Sequence, residues 1–523
     1  MGNAISKAGQ PAGLPGLFYA LGRDVPILSV GGVQSTAEGR MADLEEELLG
    51  VVAREEALHP EQPFSLFPRL VLADWLEEHQ GPSGQTRAEF IRLQLACEEA
   101  GTPCTLPALA EDAPRGLPDA LARAGAVHAL ACRSQAVRFF KEHARALLEP
   151  YPEWVRPHLV FRGGLPWMCH VPWDVWQHHA DGMSGGGSGW RLETVRSWRF
   201  HSSTDGTQGF EPVAWLPGTP YALEVSGVGA ANGFFRSPEV EKWLGTVREL
   251  TLAGWAFPKA MTMGMAPTAQ RVPALRRLGL PANQIEFEQM LDLGRLGLPP
   301  DLEAFSLARN RLTFEDSVFF FEEGWALPHL VELDLSGTGV GLGVLYNLGR
   351  SPLCENLRRL NLGHGEIEET LDVEMLLDAA FHGLKDMDLT GNRLSDGFLE
   401  TLAEAHWLAG LERLNLNEVG SGGQGWGRLI RGLGTTLIEL RQGNCGLDPE
   451  AVSVLGESPA RSSLRHLDLR QNNLGDKGLL ELLKMEWPEL VLLGIGLNSI
   501  SIPEPELDRR LTPWLTGVEL ERP

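Results

Sequence analysis

From Val247 onward, apolar residues recur in a fixed order: apolar, two variable positions, apolar, one variable, apolar, two variable, asparagine, one variable, apolar. Copies begin at Val247, Leu275, Leu302, Leu330, Leu357, Leu384, Leu411, Leu437, Leu464 and Leu490, spaced 26 to 28 residues apart. LKDMDLTGNRL from Leu384 and LRHLDLRQNNL from Leu464 are clear examples. Such regularity predicts stacked units that share one continuous core. The apolar–variable–apolar step predicts a short strand whose variable residues face away from that core. The remaining length of each unit suits a helix that returns the chain on the far side of the sheet. Leu394-Ser395-Asp396-Gly397 and Leu474-Gly475-Asp476-Lys477 read as strand exits with an acidic residue at the helix start, next to free N–H groups. Weaker copies are expected near Leu192 and Leu223, and Leu511 to Leu520 is expected to cap the open end.

The front of the chain carries a helical spacing instead. Leu44, Leu48, Val51, Val52 and Ala53 fall on one stripe, and Leu72, Trp75 and Leu76 share a face of Phe67–His79. Gln80-Gly81-Pro82-Ser83-Gly84 reads as a turn, and Arg87–Ala96 is a third amphipathic segment. Residues 1–40 are rich in Gly, Pro, Ser and Ala without periodicity, which predicts a disordered extension, and Met41 stands as an alternative start. Residues 101–190 read as a linker and Trp-rich N-terminal cap: Pro and Ala over 103–125, a helix over Ala126–Leu148, then Phe161-Arg162-Gly163-Gly164-Leu165. Gly182 to Gly189 is a flexible loop. Trp154, Trp167, Trp173, Trp176, Trp190 and Trp198 crowd this stretch; a plug for the apolar end of the array is the expected role, and an exposed subset would serve as a binding anchor.

RLVLADWLEEHQGPSGQTRAEFIRLQ, from Arg69 to Gln94, resembles the repeat-companion domain of bacterial proteins that go on to carry leucine-rich repeats. The likeness covers residues 41–100; a longer insertion before Phe67 and a longer Gly/Ser turn depart from the family pattern. The later repeats resemble the ribonuclease-inhibitor-like class. Together these imply an α/β leucine-rich-repeat solenoid, a horseshoe over residues 191–523 with its C-terminal cap, preceded by a small N-terminal all-α domain.

Charge narrows the function. With 69 Asp+Glu against 45 Lys+Arg, the net charge of -24 disfavours nucleic acid and anionic lipid. Six cysteines without CxxC pairs fit reduced thiols and a cytoplasmic location. No run reaches the length of a membrane helix. Met1-Gly2-Asn3-Ala4-Ile5-Ser6 fits the myristoylation pattern, so membrane contact is expected only if Gly2 is acylated.

Candidate chemistry is sparse. Cys169, His170, His178 and His179 match no zinc spacing, and no nucleophile, phosphate-loop or metalloprotease motif is present, so neither cofactor nor metal nor catalysis is expected. The variable strand positions fall into two columns. The first reads Arg277, Ala304, Glu332, Arg359, Asp386, Arg413, Glu439, His466 and Leu492; the second reads Gly279, Ser306, Asp334, Asn361, Asp388, Asn415, Arg441, Asp468 and Gly494. Alternating sign from Glu332 through Glu439 predicts an ion-pair ladder between strands about 4.8 Å apart. Glu332, Asp334, Arg359, Asn361, Asp386, Asp388, Arg413, Asn415, Arg441 and Asp468 are the expected partner-binding residues. The alternative is that these charges only satisfy one another. In the companion motif, Asp74, Trp75, Arg87, Glu89 and Arg92 stand out, with Arg87 and Glu89 bracketing a helix start; ion pairing, capping and core packing are the plainer roles. The sequence therefore predicts a non-catalytic scaffold or adaptor that binds a protein of unknown identity and no nucleic acid. Alternatives are a regulator of an enzyme (a small GTPase or protease) and a host-directed effector with a myristoylated N-terminus.

Overall fold

The computed structural model describes residues 44–45, 47–53, 66–99, 105–107, 126–180, 192, 194–201, 220–227, 240, 243–254, 268–312, 327–339, 341–367, 380–420, 424–502 and 519–521. The extension 1–40 with Gly2, the loop 182–189, Trp190 and most of the tail cap lie outside them. The chain separates into two compact units, residues 1–45 and 46–523. Of the first, Leu44 and Glu45 are described, both helical. Everything below belongs to the second.

Helices α1 (Leu66–His79) and α2 (Gly81–Glu99) pack on each other. The expected five-residue turn between them is a correction. A single left-handed residue, Gly81 at φ +60°, ends α1, and Pro82 stands in the first turn of α2, where its missing N–H forfeits no hydrogen bond. Arg87 and Glu89 consequently lie inside α2 and do not bracket its start. Gly84 is needed at the crossing, since a Cβ there would stand 2.2 Å from the Leu76 carbonyl oxygen.

Among the described residues, sixteen strands follow in strict chain order within one sheet. They are β1 (Leu106–Pro107), β2 (Leu159–Arg162), β3 (Leu165–Pro172), β4 (Ser197–His201), β5 (Ala222–Ser226), β6 (Glu249–Ala253), β7 (Arg277–Gly279), β8 (Ala304–Ser306), β9 (Glu332–Asp334), β10 (Arg359–Asn361), β11 (Asp386–Asp388), β12 (Arg413–Asn415), β13 (Glu439–Arg441), β14 (His466–Asp468), β15 (Leu492–Gly494) and β16 (Glu519–Glu521). β1–β2 and β2–β3 are antiparallel; the pairs from β3 onward are parallel. Helix α3 spans Ala126–Leu148, as its periodicity predicts, and α4 (Trp173–Ala180) follows β3. Short helices α5 (Phe287–Leu296), α6 (Gly341–Arg350), α7 (Asp396–Glu404), α8 (Gln424–Gly432), α9 (Pro449–Leu455) and α10 (Gly475–Lys484) return the chain between parallel strands. Ser395 caps α7 by accepting from the Phe398 N–H, with Asp396 in its first turn.

The middle residue of each strand from β7 to β15 is buried and belongs to one core with helix residues such as Phe398, Leu399, Leu402, Leu479 and Leu482. Asparagines then join coil to coil. Asn392 donates to the carbonyls of Leu362 (2.9 Å) and Leu389 (2.8 Å), and its Oδ1 accepts from Gly365 (3.0 Å) and Ile367 (3.1 Å). Asn310 and Asn472 repeat this pattern, and Asn283 and Asn498 make parts of it. Each thereby satisfies backbone groups that a turning, buried chain would leave unpaired. Thr338, Gly365, Val419 and Cys445 stand at the same position in other coils. Cys445 substitutes in part, its thiol donating to Leu416 O at 2.9 Å; burial pushes its pKa up, keeping the proton it donates.

The residue before that position is left-handed in every described coil from Gly254 onward: Gly254, Ala282, Arg309, Gly337, His364, Gly391, Glu418, Asn444, Gln471 and Leu497. Glycine is required at 391, where a Cβ would stand 2.1 Å from the His364 ring.

The weaker repeats are real but start elsewhere than expected. In-register pairing of β3, β4, β5 and β6 places the repeat origins at Pro166, Val195, Pro220 and Val247, not at Leu192 and Leu223. Their inward residues are Cys169 and Val171, Trp198 and Phe200, Leu223 and Val225, Leu250 and Leu252. Trp176 and Trp198 are fully buried, with ring centroids 4.9 Å apart. Trp154 and Trp173 pack against the same core.

The helices at the front grip the β2–β3 hairpin. Arg69 is wholly buried and donates from Nη1 to the carbonyls of Arg162 and Gly163, both at 2.8 Å. Gln94 Oε1 accepts the Gly164 N–H at 2.6 Å, and Glu98 pairs with Arg162 at 2.7 Å. Phe90 packs on Phe140 and Phe161.

Candidate functional site

Two outward columns run in register along the sheet. Glu332, Arg359, Asp386, Arg413, Glu439 and His466 are successive partners across β9 to β14, and Asp334, Asn361, Asp388, Asn415, Arg441 and Asp468 are their counterparts two residues on. The sheet thus brings all ten expected binding residues to one face. All of them except Asp468 line one groove of about 270 Å³. Asp468 borders a second hollow of about 320 Å³ with Arg470 and Leu497.

The first column is organised in clusters, and the simple alternating ladder needs correction. Glu332 holds Arg277 (2.6 Å), two strands away past Ala304, and also Arg359 (3.0 Å to Nε). Asp386 pairs with Arg413 at 2.6 Å, and each side chain is only 17% exposed. Glu439 does not simply continue the alternation: it meets Arg441 on its own strand and His466 Nδ1 at 3.2 Å. Burial alone would raise both glutamate pKa values. Arg277 and Arg359 outweigh it at Glu332, and the His466 hydrogen bond and Arg441 outweigh it at Glu439, so both lie below the ordinary range. Glu249 differs: burial, its largest influence, leaves its pKa raised despite Arg277 at 3.9 Å.

The second column has a local duty that sequence reasoning missed. Asp334, Asn361, Asp388, Asn415 and Asp468 each accept the backbone N–H two residues on, at 2.8 to 3.2 Å. These are Asx turns that close the strand exits. The signal was available, because an Asx residue stands at the last strand position in coil after coil. Asp388 also accepts from Asn415 Nδ2 at 2.9 Å, and Asp334 from Ser306 at 2.9 Å. Asp334 and Asp388 therefore carry negative charge held by neutral donors, while the arginines are matched by acids.

The companion-motif residues lie apart in the fold's front helices. Arg92 reaches across to Asp74 (2.7 Å) and Glu77 (2.6 Å), binding α2 to α1. Trp75 and Arg87 are buried, and Glu89 is exposed. Among the described residues, no group of three or more His, Cys, Asp and Glu is placed to hold a metal, and no helix is long and apolar enough to cross a membrane. Burial pushes up the thiol pKa of Cys169, Cys354 and Cys445.

Residues 462–483 match a family model described as Leucine Rich repeat. The ribonuclease inhibitor of Sus scrofa is 34% identical over 153 residues, 28% of this chain and 33% of that protein. This chain thus spans about a third of that relative's length. The crystal structure of an internalin from Listeria monocytogenes aligns with 72% of this chain and 93% of its own, at 15% identity and a TM-score of 0.35. The matched segment contains β14 and most of α10, one coil of an array whose other coils repeat its short strand in register.

Proposed function

We propose that this protein is a non-catalytic scaffold that captures a protein partner on the open face of its sheet. The observation that carries the reading is the groove over β9 to β13, where Glu332, Asp334, Arg359, Asn361, Asp386, Asp388, Arg413, Asn415 and Arg441 are held in register. Charges fixed this way meet a partner without first ordering flexible side chains, which reduces the entropy lost on binding. Polar contacts of this kind give register and selectivity. The similarity to a ribonuclease inhibitor favours one second reading, in which the captured partner is an enzyme and capture regulates it.

The front helices α1 and α2 are, in this reading, a repeat-companion module that covers the first hairpin of the array. Arg69 and Gln94, both inside the motif, hold the Arg162-Gly163-Gly164 turn and support that role. A cytoplasmic setting agrees with Cys97, Cys169, Cys354 and Cys445, which are buried and form no disulfide among the described residues.

The test is affinity capture from native lysate, with the intact chain beside a version carrying Asp334→Lys, Asp388→Lys and Arg413→Glu. A partner kept only by the intact chain supports the reading. Equal retention by both chains removes the binding site from this face.

A further inference from the structure

Charge in the groove over β9 to β13 does not balance. Its lining holds five carboxylates (Glu332, Asp334, Asp386, Asp388 and Glu439) against three arginines (Arg359, Arg413 and Arg441). Each arginine already faces a first-column acid: Arg359 meets Glu332, Arg413 meets Asp386, and Arg441 meets Glu439. Arg277 reaches Glu332 from outside the groove but is shared with Glu249, so it leaves the balance unchanged. Asp334 and Asp388 are what remains. Neither forms an ion pair among the described residues; neutral donors alone hold their oxygens.

Asn361 stands between these two in the same column, paired in register with Asp334 on one side and Asp388 on the other. Its Oδ1 accepts the Gly363 N–H, and its Nδ2 makes no hydrogen bond among the described residues. All three side chains are half-buried. Across β9, β10 and β11 the groove thus offers acceptor, donor and acceptor, with a negative charge at each end.

Spacing selects the shape of the occupant. Strands about 4.8 Å apart place the two carboxylates about 10 Å from each other. An extended segment carries same-face side chains about 7 or 14 Å apart, and neither distance fits. An α-helix returns to the same stripe after seven residues, about 10.5 Å along its axis.

Building on the scaffold reading, we propose that the groove docks an α-helix of the partner, laid across the strands, with Lys or Arg at positions i and i+7 over Asp334 and Asp388. A side chain at i+3 or i+4 then lies over Asn361 and accepts from its Nδ2. The two cations neutralise the carboxylates that this chain leaves without a counter-ion. An acidic helix would meet them with like charge and is disfavoured.

The array itself supplies the test variants. Asn361 and Asn415 hold the same position and close the same turn, so Asp334→Asn and Asp388→Asn remove the charge and keep the Asx turn. Both variants should unfold at temperatures near that of the parent. A display library of helices with one randomised face, carried on a rigid helical-bundle scaffold, is depleted on the chain bearing both substitutions and then selected on the unmodified full chain. The expected helices carry Lys or Arg at i and i+7 and lose about tenfold in affinity on each single variant. Enriched helices without paired cations, pairs at another spacing, or no enrichment would overturn the proposal. The lysate partner tests the scaffold reading apart from this one. Its loss on the Asp334, Asp388 and Arg413 reversals, with no such helix enriched, removes the helix seat alone; its retention there overturns both.

Discussion

The coils of β4 to β6 and those of β7 to β15 build the same sheet with different materials. The earlier coils fill their interior with Trp198, Phe200, Leu223 and Val225, and Trp176 packs on Trp198. The later coils use leucine at nearly every inward position and tie their turns with asparagine. Apolar burial is non-directional and fixes no single position along a coil. An asparagine that satisfies four backbone groups works only at one place in each coil. The spacing of 26 to 28 residues persists through the coils of Thr338, Gly365, Val419 and Cys445, so the asparagine tie adds backbone satisfaction to a register that the leucine strands already share.

The largest test of this contrast is Asn392→Leu. It leaves Leu362 O, Leu389 O and the Gly365 and Ile367 N–H groups without partners, and should cost roughly 4 kcal/mol or more in urea denaturation. Trp198→Leu in the earlier coils removes area but strands no comparable set of backbone groups, and should cost about 2–3 kcal/mol. Equal losses at the two sites would erase the distinction. Gln471→Gly relieves a left-handed residue and should stabilise by about 0.5–1 kcal/mol in the same assay, whereas Gly391→Ala should destabilise because His364 occupies the space.

The smallest effect separates the two regions by pH. The folded-state pKa of Glu249 is raised, so its contribution favours folding at low pH and is lost as pH rises through that value. Glu249→Gln should therefore stabilise slightly at pH 7, by less than about 1 kcal/mol after solvent screening of this partly exposed group. The gain should vanish below the ordinary glutamate range. Glu439 is depressed, so its contribution is present above the unfolded glutamate pKa and lost as pH falls through the folded value. Glu439→Gln should destabilise at pH 7. Thermal unfolding across pH 3 to 8 (roughly the span of carboxylate and histidine titration) should give opposite slopes for the two variants.

What the sequence made legible follows the same division. Leucine at fixed intervals announced the strands, their register and the two outward columns, because one residue type recurs for one physical reason. Pro220 at a repeat origin, with Trp198 and Phe200 at inward positions, hid the earlier coils, since the core asks there for volume and not for leucine. The Asx turns of Asp334 and Asp388 escaped notice because the same residue types also suit a binding surface. The left-handed rungs were not read because Arg309, Glu418 and Leu497 carry no compositional sign of that backbone. The hold of Arg69 on a hairpin more than ninety residues away is invisible to any local pattern.

The asparagine tie has a mechanical consequence. In the coils under the groove, the tie position holds Thr338, Gly365, Asn392, Val419 and Cys445, whereas Asn283 and Asn310 stand before them and Asn472 and Asn498 after. The array is thus stapled firmly on both sides of a more sparsely stapled middle. Like a leaf spring clamped at both ends, it has its give concentrated beneath the groove, where the proposed partner would load it, so small changes in strand spacing there would leave the clamps in place.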